Sequence, residues 1–348
     1  MKTIELPFKV KQPILACGAD MKGAFALAKG RDAYLFDGFG DLSDLDNFTR
    51  YEKAVGGAEK KLNIRPQIVA CDLHPGYFST QFAENRDSDP FKVQHHEAHI
   101  ASAIIDNGIS GEVLGAAFDG TGYGPDGNIW GGEFFTGNAK SFERIAHLKY
   151  IPMPGGEACI KEPWRMAASY LYSVFGSVKG YDKKRWAILK NMIDRKINSP
   201  LTSSMGRLFD AAGSIILNKE KASFEAELPI ALEKMAATDI DDSYRSDDSA
   251  DIIKGIIRDI EKKVAAGIIS AKFHNSIAAM ILSAAKRSKM KNVLLSGGVF
   301  QNRYLKDRAI RLLSSNDFKV YTHSNIETND SGIPIGQVSI ANARFACV

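Results

Sequence analysis

The stretch PILACGADMKGAFALAKGRDAYLFDGFG, residues 13–40, reads as an apolar strand at 14–18, a turn, a second strand, a Lys-Gly-Arg-Asp turn and a third strand. About a hundred residues later, VLGAAFDGTGYGPDGNIWGGEFFTGNAKSFERIAHLKYI, residues 113–151, has the same layout. It opens with an apolar strand ending in Asp119 and a glycine-rich turn with an Asp126-Gly127 hairpin signal. A strand at 129–136 and a third at 141–150 follow. A meander that occurs twice predicts a duplicated α/β fold, with one lobe over 1–110 and a second over 111–348. QIVACDL, 67–73, reads as a short buried strand of the parallel type. From about 159 to 290 the pattern is mostly helical, as in PWRMAASYLYSVF and KASFEAELPIALEKMA, so the second lobe carries a helical insertion. Within it ATDIDDSYRSDDSADI, 237–252, is acidic and serine-rich and reads as a surface loop. Then α/β character returns: NVLLSGGVF is a strand and turn, RYLKDRAIRLLSS a helix, FKVYTHS a strand and GIPIGQVSIANARFA a closing helix.

The chain has 348 residues, 45% hydrophobic and 25% charged, which places it among globular rather than disordered sequences. Forty-five basic residues against 41 acidic ones leave a net charge of +4. No dense Lys/Arg run with interleaved aromatics accompanies this, so nucleic acid is not an expected partner. No run of eighteen apolar residues occurs and the start, MKTIELPFKVKQ, lacks a signal-peptide core, so neither a membrane nor export is expected. Cys17, Cys71, Cys159 and Cys347 form no C-x-x-C pair and read as free thiols in a reducing cytoplasm.

Chemistry concentrates in a few segments. In VQHHEAHIAS, 93–102, a helix predicted over 93–107 projects His95 and His99 from one face, as residues four apart do. Two such imidazoles either hold one metal ion or are polar residues on a solvated face; His96, about 100° round the helix, does not join them. In FDGTGYGPDGNIWGGEFF, Gly120, Gly122 and Gly124 follow Asp119, and Thr121 offers a hydroxyl. This is either a hairpin that cradles phosphate or one that simply turns. In LLSGGVFQN the strand runs into Ser296-Gly297-Gly298, and a helix starts near Asn302, where free amides suit a phosphate or ribose. Asp330, in a polar turn before the last helix, either caps or supplies a carboxylate to a metal set. Asp210, on a helix among small neighbours, suits a salt bridge or ribose hydroxyls. His74-Pro75 ends a strand at the edge where α/β sheets bind ligands. Glu162, Trp164 and Arg165 either line a channel or pack and pair.

In order along almost the whole chain, GADMKGAF, DLHPGYFST, VQHHEAHIAS, FDGTGYGPDGNIWGGEFF, KEPWRMA, SSMGRLFDAAG, FHNSIA, LLSGGVFQNRYL and NDSGIPIGQ resemble the carboxyl-terminal transferase domain of the HypF-type carbamoyltransferases of nickel-iron hydrogenase maturation. That group is related to the TsaD-type tRNA threonylcarbamoyl transferases. The resemblance implies the duplicated actin/hexokinase/Hsp70-like fold, in agreement with the repeat. It implies that His95, His99 and Asp330 bind a divalent transition metal, iron or zinc, that Asp119 approaches the same site, and that these four residues are catalytic. It implies that Asp119, Gly120, Thr121, Gly122, Tyr123, Asp210, Gly297, Gly298 and Asn302 surround ATP or carbamoyl-adenylate. The implied reaction passes the carbamoyl group to the C-terminal cysteine of HypE. Full-length members carry upstream domains, among them a YrdC-like one that makes the adenylate. This chain begins almost directly at the transferase lobe, so the expectation is the transfer half-reaction, with adenylate supplied by a separate YrdC-like protein. Transfer to tRNA or to a small-molecule hydroxyl, and a non-catalytic nucleotide-binding role in maturation, are the alternatives.

Overall fold

The computed structural model describes residues 1–178 and 180–345, so Cys347 lies outside the described residues. The first meander forms β2 (Ile14–Ala16), β3 (Phe25–Lys29) and β4 (Asp32–Phe36), with β1 (Lys2–Glu5) ahead of it. Helix α1 (Leu45–Leu62) leads to β5 (Ile68–Asp72), α2 (Phe78–Arg86) to β6 (Phe91–Val93), and α3 (His95–Asp106) closes the half. The sheet order is β1-β4-β3-β2-β5-β6; β5 runs parallel to β2 and β6 to β5, while the meander is antiparallel.

The second half repeats this. β7 (Val113–Tyr123), β8 (Ile129–Asn138) and β9 (Ser141–His147) form an antiparallel meander, followed by the short strand β10 (Ile151–Pro152). A mostly helical stretch follows: α4 (Ala158–Lys161), α5 (Trp164–Phe175), α6 (Lys183–Asp194), the short strand β11 (Leu201–Thr202), α7 (Met205–Leu217), α8 (Glu227–Met235), α9 (Ser249–Glu261) and α10 (Ala266–Ser288). Then come β12 (Asn292–Ser296), α11 (Arg303–Ser314), β13 (Lys319–Thr322) and α12 (Ile333–Arg344). β12 pairs parallel with both β7 and β13. Around the meander the path β9-β8-β7-β12-β13 therefore matches β4-β3-β2-β5-β6 strand for strand. That repeat is the actin/hexokinase/Hsp70-like architecture.

The last helix of each half covers the sheet of the other. α3 packs on β7, β8 and β12, whereas α12 packs on β2, β3, β4, β5 and β6, and the two helices lie against one another. Gln337 seats α12 on the first sheet, donating to Gly18 O at 3.0 Å and accepting from Gly18 N at 2.8 Å. Glu97 on α3 pairs with Arg344 on α12 at 2.5 Å. The helices cross closely because residue 336 is glycine: a Cβ there would stand 1.9 Å from the Ala98 carbonyl oxygen.

Two local expectations are corrected. The strand over Asp119 does not end there. β7 continues to Tyr123, with a bulge where Phe118 pairs Gly132 but Gly122 pairs Trp130, and the turn falls at 124–128. Glycine supplies conformational freedom, and here the pairing ladder uses it for a bulge that re-aims 119–121. KASFEAELPIALEKMA is helical only from Glu227, because Ala226 sits at φ +60 and ends the turn before it. α10 is long and apolar enough to span a membrane by length and composition, but it is mostly buried, with Phe273, Ile277 and Ile281 packed in one apolar cluster with Phe118 of β7 and Leu295 of β12.

A buried donor cluster beside a cavity

α3 begins at His95 because Gln94 caps it: its side-chain oxygen accepts from His96 N at 2.7 Å and Glu97 N at 3.0 Å. The cap places the HxxxH face against the second half. His95 and His99 there meet Asp119 from β7 and Asp330 from the turn before α12, and one donor atom from each lies within 4.8 Å of the others. His95 Nε2 is 3.3 Å from Asp119 Oδ2 and 3.6 Å from Asp330 Oδ1; His99 Nε2 is 3.4 Å and 3.5 Å from the same atoms. Corners of a tetrahedron about a cation with ligand bonds near 2.1 Å stand about 3.4 Å apart. The separations are long for hydrogen bonds and close to that edge. His99 Nε2 is buried with no hydrogen-bond partner among the described residues. Two imidazoles and two carboxylates suit first-row metals, so the residues fit a divalent ion.

Charge in the cluster is tightly coupled. Burial alone would depress His95 and His99, but the surrounding carboxylates outweigh it, lifting His95 well above the ordinary imidazole value and His99 above it. Burial would raise Asp119 and Asp330, yet the two histidines hold both below the usual carboxylate range. With no metal, protons on the imidazoles supply the positive charge that the carboxylates face.

Sequence reasoning missed Asp72. It ends β5, is fully buried, and its Oδ2 lies 2.7 Å from His95 Nδ1. A carboxylate only accepts, so His95 Nδ1 carries the proton and Nε2 faces the cluster unprotonated when the ring is neutral. The other Asp72 oxygen accepts from His74 N at 2.9 Å, fixing the His74-Pro75 turn. The signal for Asp72 was an aspartate closing an otherwise apolar strand. His96 turns away, its Nδ1 3.1 Å from Gln94 Nε2 and its ring against Gly122.

Asp119 and Asp330 also form part of the wall of a cavity of about 440 Å³. Gly120, Thr121, Gly298 and Asn302 line it too, as do Lys22 and Arg207, which the sequence reading did not select. Gly298 N donates to Asp119 Oδ1 at 3.1 Å, and a Cβ at 298 would press on that oxygen at 2.8 Å. Asn302 caps α11 by accepting from Leu305 N at 2.9 Å and meets His274 Nε2 at 2.9 Å. Four expected residues stand behind the lining. The Gly122 backbone meets His96, the Tyr123 ring meets His74 edge-on, Gly297 closes on the Phe118 backbone, and Asp210 pairs with Arg207. Glu162 and Arg165 pair with each other at 2.5 Å, and Trp164 is buried, so that segment packs.

A family profile described as the HypF Kae1-like domain matches residues 9–106, and one described as carbamoyltransferase, Kae1-like domain, second subdomain, matches 115–337. The chain belongs to the HypF carbamoyltransferase family. Carbamoyltransferase HypF of Synechocystis is 34% identical over 99% of this chain, and the chain spans 49% of that protein. A carbamoyltransferase HypF homolog of Cupriavidus necator is 31% identical over 94% of the chain and 91% of its own length. A full-length HypF, solved in a phosphate- and nucleotide-bound form, superposes with a TM-score of 0.93 at 39% identity, over 98% of this chain and 57% of that one. This chain thus spans about half of the full-length HypF proteins and holds their Kae1-like part.

Proposed function

We propose that this chain performs the transfer step of a HypF-type carbamoyltransferase in the cytoplasm, moving the carbamoyl group of carbamoyl-adenylate to the C-terminal cysteine of a HypE-like acceptor. The observation that carries the reading is the convergence of His95, His99, Asp119 and Asp330 on one point, with the two aspartates also lining a cavity of nucleotide size. In this reading those four side chains hold iron or zinc, which when bound polarises the carbamoyl carbonyl and offsets phosphate charge.

The chain's own residues do the positioning. Asp72 fixes the tautomer of His95, and the Gly298 amide orients Asp119. The bulge at Gly120 and Thr121 and the turn at Gly298 bring backbone close to the adenylate. The acceptor thiol attacks the carbamoyl carbon, the bond to the phosphate oxygen breaks, AMP leaves, and the thiol proton goes to solvent. The nucleophile belongs to the acceptor. Cys17, Cys71 and Cys159 are buried, and burial pushes Cys71 and Cys159 up to about 12 and raises Cys17 as well. Adenylate would come from a separate YrdC-like protein.

The test mixes the chain with a YrdC-like protein, ATP, carbamoyl phosphate and HypE. The expected outcome is a gain of one carbamoyl group in the intact mass of HypE, abolished by His95→Ala. An unchanged HypE mass with competent adenylate present would refute the reading, and carbamoylation unchanged in His95→Ala would refute the part given to the four-residue cluster.

A further inference from the structure

The first turn of α7 presses directly on the bulge of β7. Ser204 Oγ donates to the carbonyls of Asp119 at 2.9 Å and Gly120 at 2.7 Å and accepts from Arg207 N at 3.1 Å. This brings Arg207 alongside Gly120, with an Nη2 atom 3.8 Å from where a Cβ at 120 would stand. Arg207 lines the cavity although it is only 4% exposed.

Its charge is poorly satisfied. Nε lies 2.9 Å from Asp210 Oδ2, but neither atom finds an aligned hydrogen bond, and Nη1 has no partner among the described residues either. Burial pushes the Asp210 carboxyl up to about 6 in spite of the guanidinium, and Glu225 adds to the rise. A buried guanidinium with uncommitted donors is costly unless an acceptor meets it. Its planar fork suits the oxygens of a phosphate. The rest of the wall makes that demand stronger, because Asp119, Asp330, Glu225 and Glu233 all line the same cavity. A phosphate entering among four carboxylates needs a fixed cation beside it, and of the two in the wall Lys22 is exposed whereas Arg207 is buried against the Gly120 bulge.

We propose that Arg207 is the residue that recognises the nucleotide phosphate, holding it against the Gly120 bulge, and that Asp210 positions its guanidinium from behind. The inference rests on the reading of the cavity as an adenine-nucleotide site.

The experiment measures the affinities of AMP and adenosine by calorimetry on the metal-free chain, so that no bound cation contributes. Arg207→Gln is expected to weaken AMP at least tenfold while adenosine stays within twofold. Arg207→Lys should fall between, and Asp210→Asn should weaken AMP less than Arg207→Gln does. The double variant R207Q/D210N removes both buried charges and keeps the comparison open if the single variant misfolds. It should retain adenosine binding and lose the preference for AMP. Equal losses for AMP and adenosine, or AMP affinity unchanged by both glutamine variants, would overturn the role of Arg207. A wild-type chain that binds neither probe would overturn the nucleotide reading and this inference with it.

Discussion

Asp72→Asn tests the cluster from outside its four donors. In the native chain both Asp72 oxygens accept, one from His95 Nδ1 at 2.7 Å and one from His74 N at 2.9 Å. A carboxamide has one acceptor face and one donor face. If its oxygen stays on His74 N, its NH₂ faces His95 Nδ1 and drives the ring proton to Nε2, the nitrogen that points into the cluster. If it flips, the NH₂ meets the His74 N–H instead. In the first case the nitrogen that must meet the ion carries a proton, and in the second the donors on His95 and His74 are left with one acceptor between them; either costs about 1–3 kcal/mol. At about 1.4 kcal/mol per factor of ten that predicts a loss in metal affinity of roughly five- to 150-fold, in line with the ten- to hundredfold typical of such carboxylate partners. The assay is competition for zinc or ferrous iron against a chromophoric chelator, with circular dichroism as a folding control. Affinity within twofold of wild type, in a folded variant whose His95→Ala counterpart has lost the metal, would refute the placement of Asp72 as the orienting group.

Metal binding should release protons at pH 7, because His95 is held well above the ordinary imidazole value and a ligand must be neutral; calorimetry in buffers of different ionisation enthalpy reads this directly. For the metal-free chain the raised folded values of His95 and His99 mean that their contribution to stability is fully present below the unfolded imidazole value of about 6.5, and is lost as pH rises through the folded values. Denaturant titrations should therefore show the metal-free chain weakening above neutrality, and saturating metal should remove that slope. Asp210 has the same sign at lower pH. Its folded value of about 6 makes the ionised carboxyl a burden on the order of 3 kcal/mol, absent below about 3.9, which Asp210→Asn should abolish as a pH dependence between 4 and 6 in chemical denaturation. Gly336→Ala should lower the melting temperature, since overpacking costs about 1–3 kcal/mol and the neighbour at 1.9 Å is backbone, and it should weaken metal binding by moving α3 against α12.

What was legible in the sequence was mostly local. The two meanders follow from alternation and hairpin chemistry, and His95 and His99 follow from helical spacing, because in each case the residues that cooperate are neighbours along the chain. Asp119 and Asp330 came from the resemblance rather than from spacing, as they stand 24 and 235 residues from His95. Asp72 stayed hidden because a strand buried on both faces has no polar periodicity to mark one residue as special. Arg207 stayed hidden because an arginine on a helix ordinarily lies in solvent, and its burial comes from the contact of α7 with a bulge 87 residues earlier. The bulge itself read as a turn, since glycine permits both. Nor does helical amphipathicity say which sheet a helix will cover, so the exchange of α3 and α12 had no signature in the pattern.

That exchange sets an order on biosynthesis. Asp330 and α12 are made more than 200 residues after the histidines, and until they arrive the first sheet lacks its cover and the histidines lack one of the two carboxylates that complete the cluster. A nascent chain on the ribosome can therefore fold its first strands early but cannot hold an ion in four-donor form until residues 330–344 have emerged. Loading with metal would then report that residues 330–344 have docked on the first half.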